Sequence, residues 1–448
     1  MIHIGFIVVR YQLSASPGCL GILPVKQVCV GYEPFVFILW CVVTVIFLFL
    51  DADWKHFLKA ARWSICSFHN RPRLIEFLCS KWRSERNPNH VLPCLSVRTG
   101  FDLFLRVMDY PPGTEVLMSA VNIPDMMRIV RAHGLKIISL DIDLETMAPK
   151  IQLFDTLVTE HTKVLVVASI YGRRFNMDPV VSAARSHGLI VVEDCAESFN
   201  GFDYLGYEGS DLALFSFGPI KHYTAFGGAI AKVRSKDLYE KMSSLYENDP
   251  VQLHTDYLKK IVKYVIVYLF LDCPLVTRLT IYLGRLLNID HKKHVVSMMR
   301  GFPGDELIVK LRRRPCDALL AMMTLRLGEV DPTSVSLLNL KHEYVSERLP
   351  GMVTQVGAKA DVRNHWLFPI VVVGGFFTVI VLHTLCSLVL CPATAIPVRT
   401  LHMFYCETKC TSFYFVYAFF SNFKAFIQCG ETLVLSRVFC WNQVTVVI

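Results

Sequence analysis

The chain has 448 residues, enough for two domains, and 53% of them are hydrophobic, with a mean hydropathy of +0.41. That exceeds the usual share for a soluble domain, so part of the apolar content is expected to face lipid. The net charge of +8 is spread along the chain without a basic stripe interleaved with aromatic rings, which argues against nucleic acid as a partner, and the fifteen cysteines show no C-x-x-C pair or His/Cys ligand spacing that would support a zinc site.

Residues 1–90 carry the first apolar signal. From Pro34 to Leu50 every residue except Thr44 is apolar, and the run stops at Asp51. Its length is at the short end of what crosses a hydrocarbon core, and extension back to Val28 adds one glutamate, Glu33. It lies too far from Met1, and lacks a small-residue cleavage site, to be a removable signal peptide. Lys55, Lys59, Arg62, Arg71 and Arg73 follow it, against Arg10 and Lys26 before it, so the positive-inside rule turns the downstream region toward the cytosol. Asp51 to His90 is polar, basic and Trp-rich and reads as a juxtamembrane helical region.

From Val91 the pattern becomes alternating α/β. Continuous apolar runs at Glu115 to Ala120, Lys136 to Leu140, Lys163 to Ser169, Leu189 to Glu193, Ala213 to Phe217 and Ala229 to Val233 read as strands covered on both faces. Helical stretches such as Asp125 to His133 and Pro179 to His187 lie between them, so residues 91–250 are expected to form a domain with a mainly parallel sheet. Two positions in it carry chemistry. The buried strand Gly188-Leu189-Ile190-Val191-Val192-Glu193 ends at Asp194, where open α/β sheets put functional groups. Lys221 lies in Ser216-Phe217-Gly218-Pro219-Ile220-Lys221-His222-Tyr223-Thr224-Ala225-Phe226-Gly227-Gly228. A lysine after a strand is ordinarily solvated surface, and a strand-end aspartate is ordinarily a cap. Together they suggest pyridoxal phosphate, since the amine condenses with an aldehyde cofactor and the carboxylate keeps its pyridine ring protonated.

Residues 251–300 form a hydrophobic insertion in which Tyr257 to Leu287 is apolar but interrupted by Lys259, Lys260, Lys263, Asp272, Pro274, Arg278 and Arg285; a buried helical insertion and an interfacial amphipathic hairpin are both open readings. Arg312-Arg313-Arg314 would suit anionic headgroups if it lay near a membrane, and is otherwise solvated surface. The run Trp366 to Cys391, with His383 its only ionisable side chain, is a second candidate transmembrane helix, opening a hydrophobic Cys-rich tail, 373–448. Cys94 and Cys195 are expected to be free thiols, while the crowded tail cysteines would be oxidised if that end were lumenal.

From about Val91 to about Glu247 the chain resembles the DegT-type sugar aminotransferases, fold-type I enzymes dependent on pyridoxal phosphate. The resemblance rests on Gly113-Thr114-Glu115-Val116-Leu117, on Gly134 to Asp143, on Thr162-Lys163-Val164-Leu165-Val166-Val167 followed by Tyr171-Gly172, on Glu193-Asp194-Cys195-Ala196-Glu197, and on Ser216 to Gly228. It implies that Lys221 is the Schiff-base lysine, Asp194 the pyridinium partner, and Ser216 a hydrogen-bond donor on the phosphate or lysine side. The family's Ser-Gly-Thr phosphate loop is replaced by Arg98-Thr99-Gly100, of which Thr99 and Gly100 are expected to hold the phosphate through a helix N-terminus. Asn122 or Ile123 stands where many members stack an aromatic ring on the cofactor, and Glu197 where they place Gln or His toward its phenolic oxygen.

The resemblance further implies a homodimer, an amino acid donor and a keto sugar acceptor, and a small C-terminal domain of which 301–372 would be the remnant. His365 to Val372 looks like its first strand; beyond Val373 either a membrane anchor replaces that domain or the tail is foreign to the fold. The expectation is thus a membrane-associated aminotransferase facing the cytosol, with a non-catalytic membrane scaffold of the same fold as the alternative. A dehydratase relative would carry histidine in place of Lys221.

Overall fold

The structure is a computed structural model that describes residues 51–66, 69–83, 90–272, 306–331, 353–363, 368–373, 402–407 and 413–419, with scattered positions between 279 and 347. Its centre is a seven-stranded sheet in the order β3-β2-β4-β6-β7-β8-β1. The strands are β1 (Val91–Cys94), β2 (Glu115–Ser119), β3 (Lys136–Leu140), β4 (Thr162–Ala168), β6 (Ile190–Asp194), β7 (Leu212–Ser216) and β8 (Ala229–Val233); β5 (Arg173–Arg174) lies outside the sheet. From β3 across to β7 every pairing is parallel, and β8 and β1 close the far edge antiparallel. The expected parallel sheet and all six of its strands are present, with ends moved by a residue.

Successive strand residues face opposite sides, and the packing follows that period. Val116, Met118, Val164, Val166 and Val192 join one core cluster, while Leu117, Leu165, Val167 and Val191 join the other. The first face is covered by α1 (Trp54–Ile65), α2 (Arg71–Ser80), α3 (Val97–Met108) and α4 (Pro124–Ala132), and the second by the short α5 (Phe154–Leu157) and by α6 (Asp178–Ser186). Ser96 caps α3, its Oγ accepting from Thr99 N at 3.1 Å, and Pro124 opens α4, where its fixed φ suits a first turn.

The described part of the region from Asp51 to His90 is largely helical as expected, in α1 and α2, but it belongs to the main core. Phe57, Leu78 and Trp82 are fully buried, and Trp82 stacks on Phe199 at 5.6 Å. Further along come α7 (Lys236–Glu247), α8 (His254–Asp272), α9 (Leu307–Leu311) and α10 (Asp317–Gly328). Helix α8 has one buried and one exposed side. Tyr257, Ile261, Tyr264 and Val267 are buried, each apolar side chain worth roughly 1.5–3 kcal/mol, and Tyr257 Oη donates to Ala225 O at 2.8 Å, yet Val262, Ile266 and Leu269 face outward.

Two expectations change, and a third falls outside the described residues. The run Trp366 to Cys391 is not a continuous helix: Phe368–Val373 is β11, paired with β9 (Val353–Gln355) and with β13 (Phe413–Phe419), and β13 in turn pairs with β12 (His402–Glu407). Alternating backbone hydrogen bonds with two neighbours replace the internal bonds a membrane helix needs, and the rest of that run lies outside the described residues. The tail therefore adds two strands to an antiparallel sheet ordered β12-β13-β11-β9, and β10 (Val362–Arg363) separately pairs with β5. The run Pro34 to Leu50 also lies outside the described residues; among those described, no helix is long and apolar enough to cross a membrane. Finally, Arg312-Arg313-Arg314 is neither a headgroup site nor loose surface. Arg312 grips Asp102 with two bonds of 2.9 and 3.0 Å, Arg313 reaches Asp256 at 3.0 Å, and Arg314 donates to Asp249 O at 2.9 Å.

Candidate active site

Four parallel strands, β2, β4, β6 and β7, end along one edge of the sheet. Because neighbours on a strand point to opposite faces, Glu193 and Asp194 at the end of β6 do different jobs. Glu193 is fully buried and accepts from Tyr204 Oη (2.5 Å), Cys195 Sγ (3.2 Å), Tyr207 N (2.8 Å) and Ser210 Oγ (3.2 Å), so its charge is spent on holding the loop after β6. Asp194, 6% exposed, accepts from Ala196 N at 3.0 Å. Burial pushes its carboxyl up from 3.8 to about 6, against the pull of that amide and of Lys221, with Glu197 pushing the same way as burial. A strand-end carboxylate so buried is short of positive charge, which a protonated ring nitrogen would supply.

Lys221 sits in the loop joining β7 to β8. That loop is tied to itself: Thr224 Oγ1 donates to Gly218 O at 2.7 Å, and Ala225 N and Gly227 N both donate to Phe217 O, at 3.0 and 3.1 Å. Its tight path puts Tyr223 and Phe226 at φ of 51° and 61°, and Gly228 at 86°. Gly228 has a second reason to be glycine, since a Cβ there would collide with the Met323 side chain on α10. Lys221 Nζ donates to Glu197 Oε1 at 3.1 Å, and Glu197 Oε2 accepts from Tyr171 N at 3.1 Å, so Glu197 bridges the lysine loop to the turn after β4. Tyr171 takes a φ of 60° to make that contact. The carboxylate expected to face a phenolic oxygen is thus the counter-ion of Lys221.

The remaining expected residues divide. Ser216 ends β7, its Oγ accepting from Gly218 N at 3.4 Å. Asn122 follows β2, with Oδ1 accepting from Ile123 N at 2.7 Å and Nδ2 buried without a hydrogen-bond partner. That orphan donor suits a ligand with acceptor atoms. Thr99 and Gly100 are otherwise engaged: Thr99 N goes to Ser96 Oγ, Thr99 Oγ1 donates to Leu311 O at 2.9 Å, and Gly100 N donates to Ser96 O at 3.2 Å. Gly100 faces the sheet, where an added Cβ would come within 2.9 Å of Leu214 Cδ2, so it is there for close helix packing. The donors left at this helix start are the first-turn amides of Val97 and Arg98, which have no intrahelical partner.

An ion network behind the lysine loop, with a buried arginine and histidine and partly exposed carboxylates, has no counterpart in the sequence reading. Arg326, on α10 and 6% exposed, donates from Nε to Thr224 O (3.1 Å), from one terminal nitrogen to Glu329 Oε2 (2.5 Å), and from the other to Asp51 O (2.5 Å) and Oδ2 (3.1 Å). Asp51 Oδ2 also accepts from Tyr223 N at 2.5 Å. His56 Nδ1 accepts from Asp53 N at 2.8 Å, which leaves Nε2 to carry the proton toward Glu329 Oε2 at 2.9 Å. The carboxyl of Glu329 is held down from 4.5 to about 2, burial being outweighed by His56 and Arg326. The only signal available beforehand was a lone arginine in an apolar helix.

Residues 86–262 match the model of the DegT/DnrJ/EryC1/StrS aminotransferase family. Two GDP-perosamine synthases are similar to this chain. One, from Escherichia coli O157:H7, is 28% identical over 182 residues, covering 39% of this chain and 50% of that protein. The other, from Caulobacter vibrioides, is 31% identical over 159 residues, covering 35% and 43%. The chain thus spans about half the length of these curated relatives or less. A solved structure from Streptococcus pneumoniae assigned as a sugar aminotransferase, in its PLP form, superposes with a TM-score of 0.50 at 14% identity, covering 77% of this chain and 83% of that one, which is a likeness of fold.

Proposed function

We propose that the domain matching this family makes the chain a pyridoxal-phosphate-dependent aminotransferase that moves an amino group from an amino acid to a keto sugar, nucleotide-linked as in the perosamine synthases. The observation that carries it is the pairing of a buried strand-end Asp194 with a loop lysine, Lys221, inside the matched segment. Pyridoxal phosphate supplies an aldehyde that takes up amines and a protonated ring that draws electrons from the substrate's Cα. Asp194 Oδ would hold the proton on the ring nitrogen, the bond being charge-assisted. Lys221 Nζ would be the attachment atom and then the base that takes the Cα proton and returns it, and Glu197 Oε1 is within reach to receive the proton that Lys221 must first give up. Ser216 and the opening turn of α3 would hold the phosphate, with Asn122 Nδ2 a further donor. A homodimer and a position at a membrane with the catalytic part toward the cytosol complete the proposal; the apolar run Pro34 to Leu50 and the basic residues Lys55 to Arg73 support the second.

The test is covalent. Incubation with pyridoxal phosphate, borohydride reduction and peptide mapping should mark Lys221, and marking of Lys232 or Lys236 instead would overturn the assignment. The scaffold reading is favoured by one feature, the Lys221–Glu197 ion pair, which occupies the amine. Absence of any reducible adduct at saturating cofactor would support it. Carbonate-resistant pelleting, and digestion of residues 91–247 by protease on the cytosolic face, test the membrane position.

A further inference from the structure

Helices α1 and α8 lie side by side, and Trp54 meets Tyr268 edge to face at 5.2 Å. Their inner sides are core. Their outer sides are exposed among the described residues: on α1 Trp54 is 43% and Leu58 69% exposed, and on α8 Val262, Ile266 and Leu269 are each about half exposed, Ile266 at 48%. The α8 positions are spaced four and three apart and so form one stripe, and Leu58 falls one turn after Trp54 on α1. Helix α1 also carries Lys55, Lys59 and Arg62, all exposed, and no acidic residue. Lys55 touches Asp53 and Glu329 at 3.5 and 3.7 Å, long contacts at a half-exposed side chain that leave it largely in solvent. An apolar stripe beside cations on an amphipathic helix is the arrangement that beds into a bilayer surface, the rings and aliphatic groups entering the headgroup boundary and the amines reaching anionic phosphates.

We infer that the outer face of α1 and α8 is a seat on an anionic lipid surface. Two observations choose lipid over a second copy of the chain. The cations on α1 complement anionic headgroups and would repel a copy of themselves, and the apolar run Pro34 to Leu50 ends immediately before Asp51, three residues before Trp54, so in sequence this helix is tethered to a segment suited to hydrocarbon. The inference rests on the membrane position proposed above and is independent of transamination. It deepens that position, because the seat fixes which side of the catalytic body meets the bilayer.

The experiment uses the full chain in phosphatidylcholine–phosphatidylserine vesicles containing brominated acyl chains, which quench tryptophan at the headgroup boundary. The quench of the parent minus that of Trp54→Phe isolates Trp54 from Trp40 in the apolar run. A Trp54-specific quench should be present, and should be mostly lost in Lys55→Gln/Lys59→Gln/Arg62→Gln, in Leu58→Glu/Ile266→Glu, or when phosphatidylserine is omitted. Retained pelleting with no Trp54-specific quench would overturn the seat while leaving membrane association intact; release of the protein from vesicles would overturn both. A dimer in detergent that Leu58→Glu dissociates, together with no Trp54 quench, would assign the face to a second copy instead. Near-UV circular dichroism of each variant, unchanged from the parent, guards against misfolding as the cause.

Discussion

Asp194 and Lys221 are placed by opposite means, one by the rigid end of a strand and the other by a strained loop, and Asp194 carries a stability cost that can be measured. Its folded carboxyl binds a proton more tightly than the unfolded one, at about 6 against 3.8, so whatever stability this group contributes is complete at low pH and is lost as pH rises through 6. Asp194→Asn should therefore make the cofactor-free protein more stable at neutral pH, by up to about 3 kcal/mol, flatten the loss between those two values, and slow turnover by orders of magnitude. Urea unfolding across a pH series checks the first two. A variant no more stable than its parent would mean that Lys221 already compensates the carboxylate. Glu197 is the other informative position. Glu197→Gln removes both the counter-ion of Lys221 and the acceptor for its proton, so spectrophotometric titration should register weaker binding of pyridoxal phosphate at neutral pH. Tighter binding would mean that the carboxylate only occupies the amine and takes no proton from it.

At the scale of elements, helix α10 decides where the lysine loop sits. Its Met323 closes on Gly228 and its Arg326 holds Thr224 O, so the loop is pinned at two points. Gly228→Ala would force a residue with a side chain to keep φ near 86° and to displace Met323. The expected cost is about 1–3 kcal/mol, read as a fall in the urea midpoint, and it should exceed that of Gly188→Ala, where a Cβ meets nothing within 4 Å and only the positive φ remains. Equal losses at the two sites would show that α10 yields. How much of this could be read beforehand follows from range. Six of the seven strands were legible because they are apolar runs, mostly buried on both faces, whereas the four-residue β1 was not singled out; Lys221 and Asp194 were legible because local motifs surround them. Arg326, Glu329, His56 and Asp51 were not, since 275 residues separate the Arg326–Asp51 partners and no local pattern announces such a pairing. The segment at Phe368–Val373 was open to two readings, the first strand of a small domain and the start of a long apolar helix, because its composition suits both, and the neighbours β9 and β13 decide for the strand. Gly100 was read as a ligand contact when its small size serves Leu214.

Across the whole molecule, distant segments are joined by carboxylates whose pKa values are depressed. Burial would raise Asp102, but His133 and Arg312 bring it below its ordinary value, and Glu329 is held near 2 by the same balance. Folded values below the unfolded ones mean that these groups stabilise the protein above their ordinary range, 3.8 for Asp102 and 4.5 for Glu329, and withdraw that support as pH falls toward the folded values. Glu329→Gln should raise the pH of acid unfolding followed by circular dichroism; an unmoved midpoint would leave Asp102 as the main acid-labile tie. Cysteine chemistry should be similarly selective, with Cys94 pushed up to about 12 by burial and Cys195 also raised, so that among the described thiols the exposed Cys66 alone should react quickly with an aromatic disulfide. One contact bears on how the protein can be shortened. Asp51 is both the carboxylate facing Arg326 and Tyr223 N and the residue that follows the apolar run. A trimmed version made for easier purification should therefore begin no later than Asp51, because a cut only a few residues further in would remove the latch of the lysine loop and mimic an inactive enzyme for reasons unrelated to membranes.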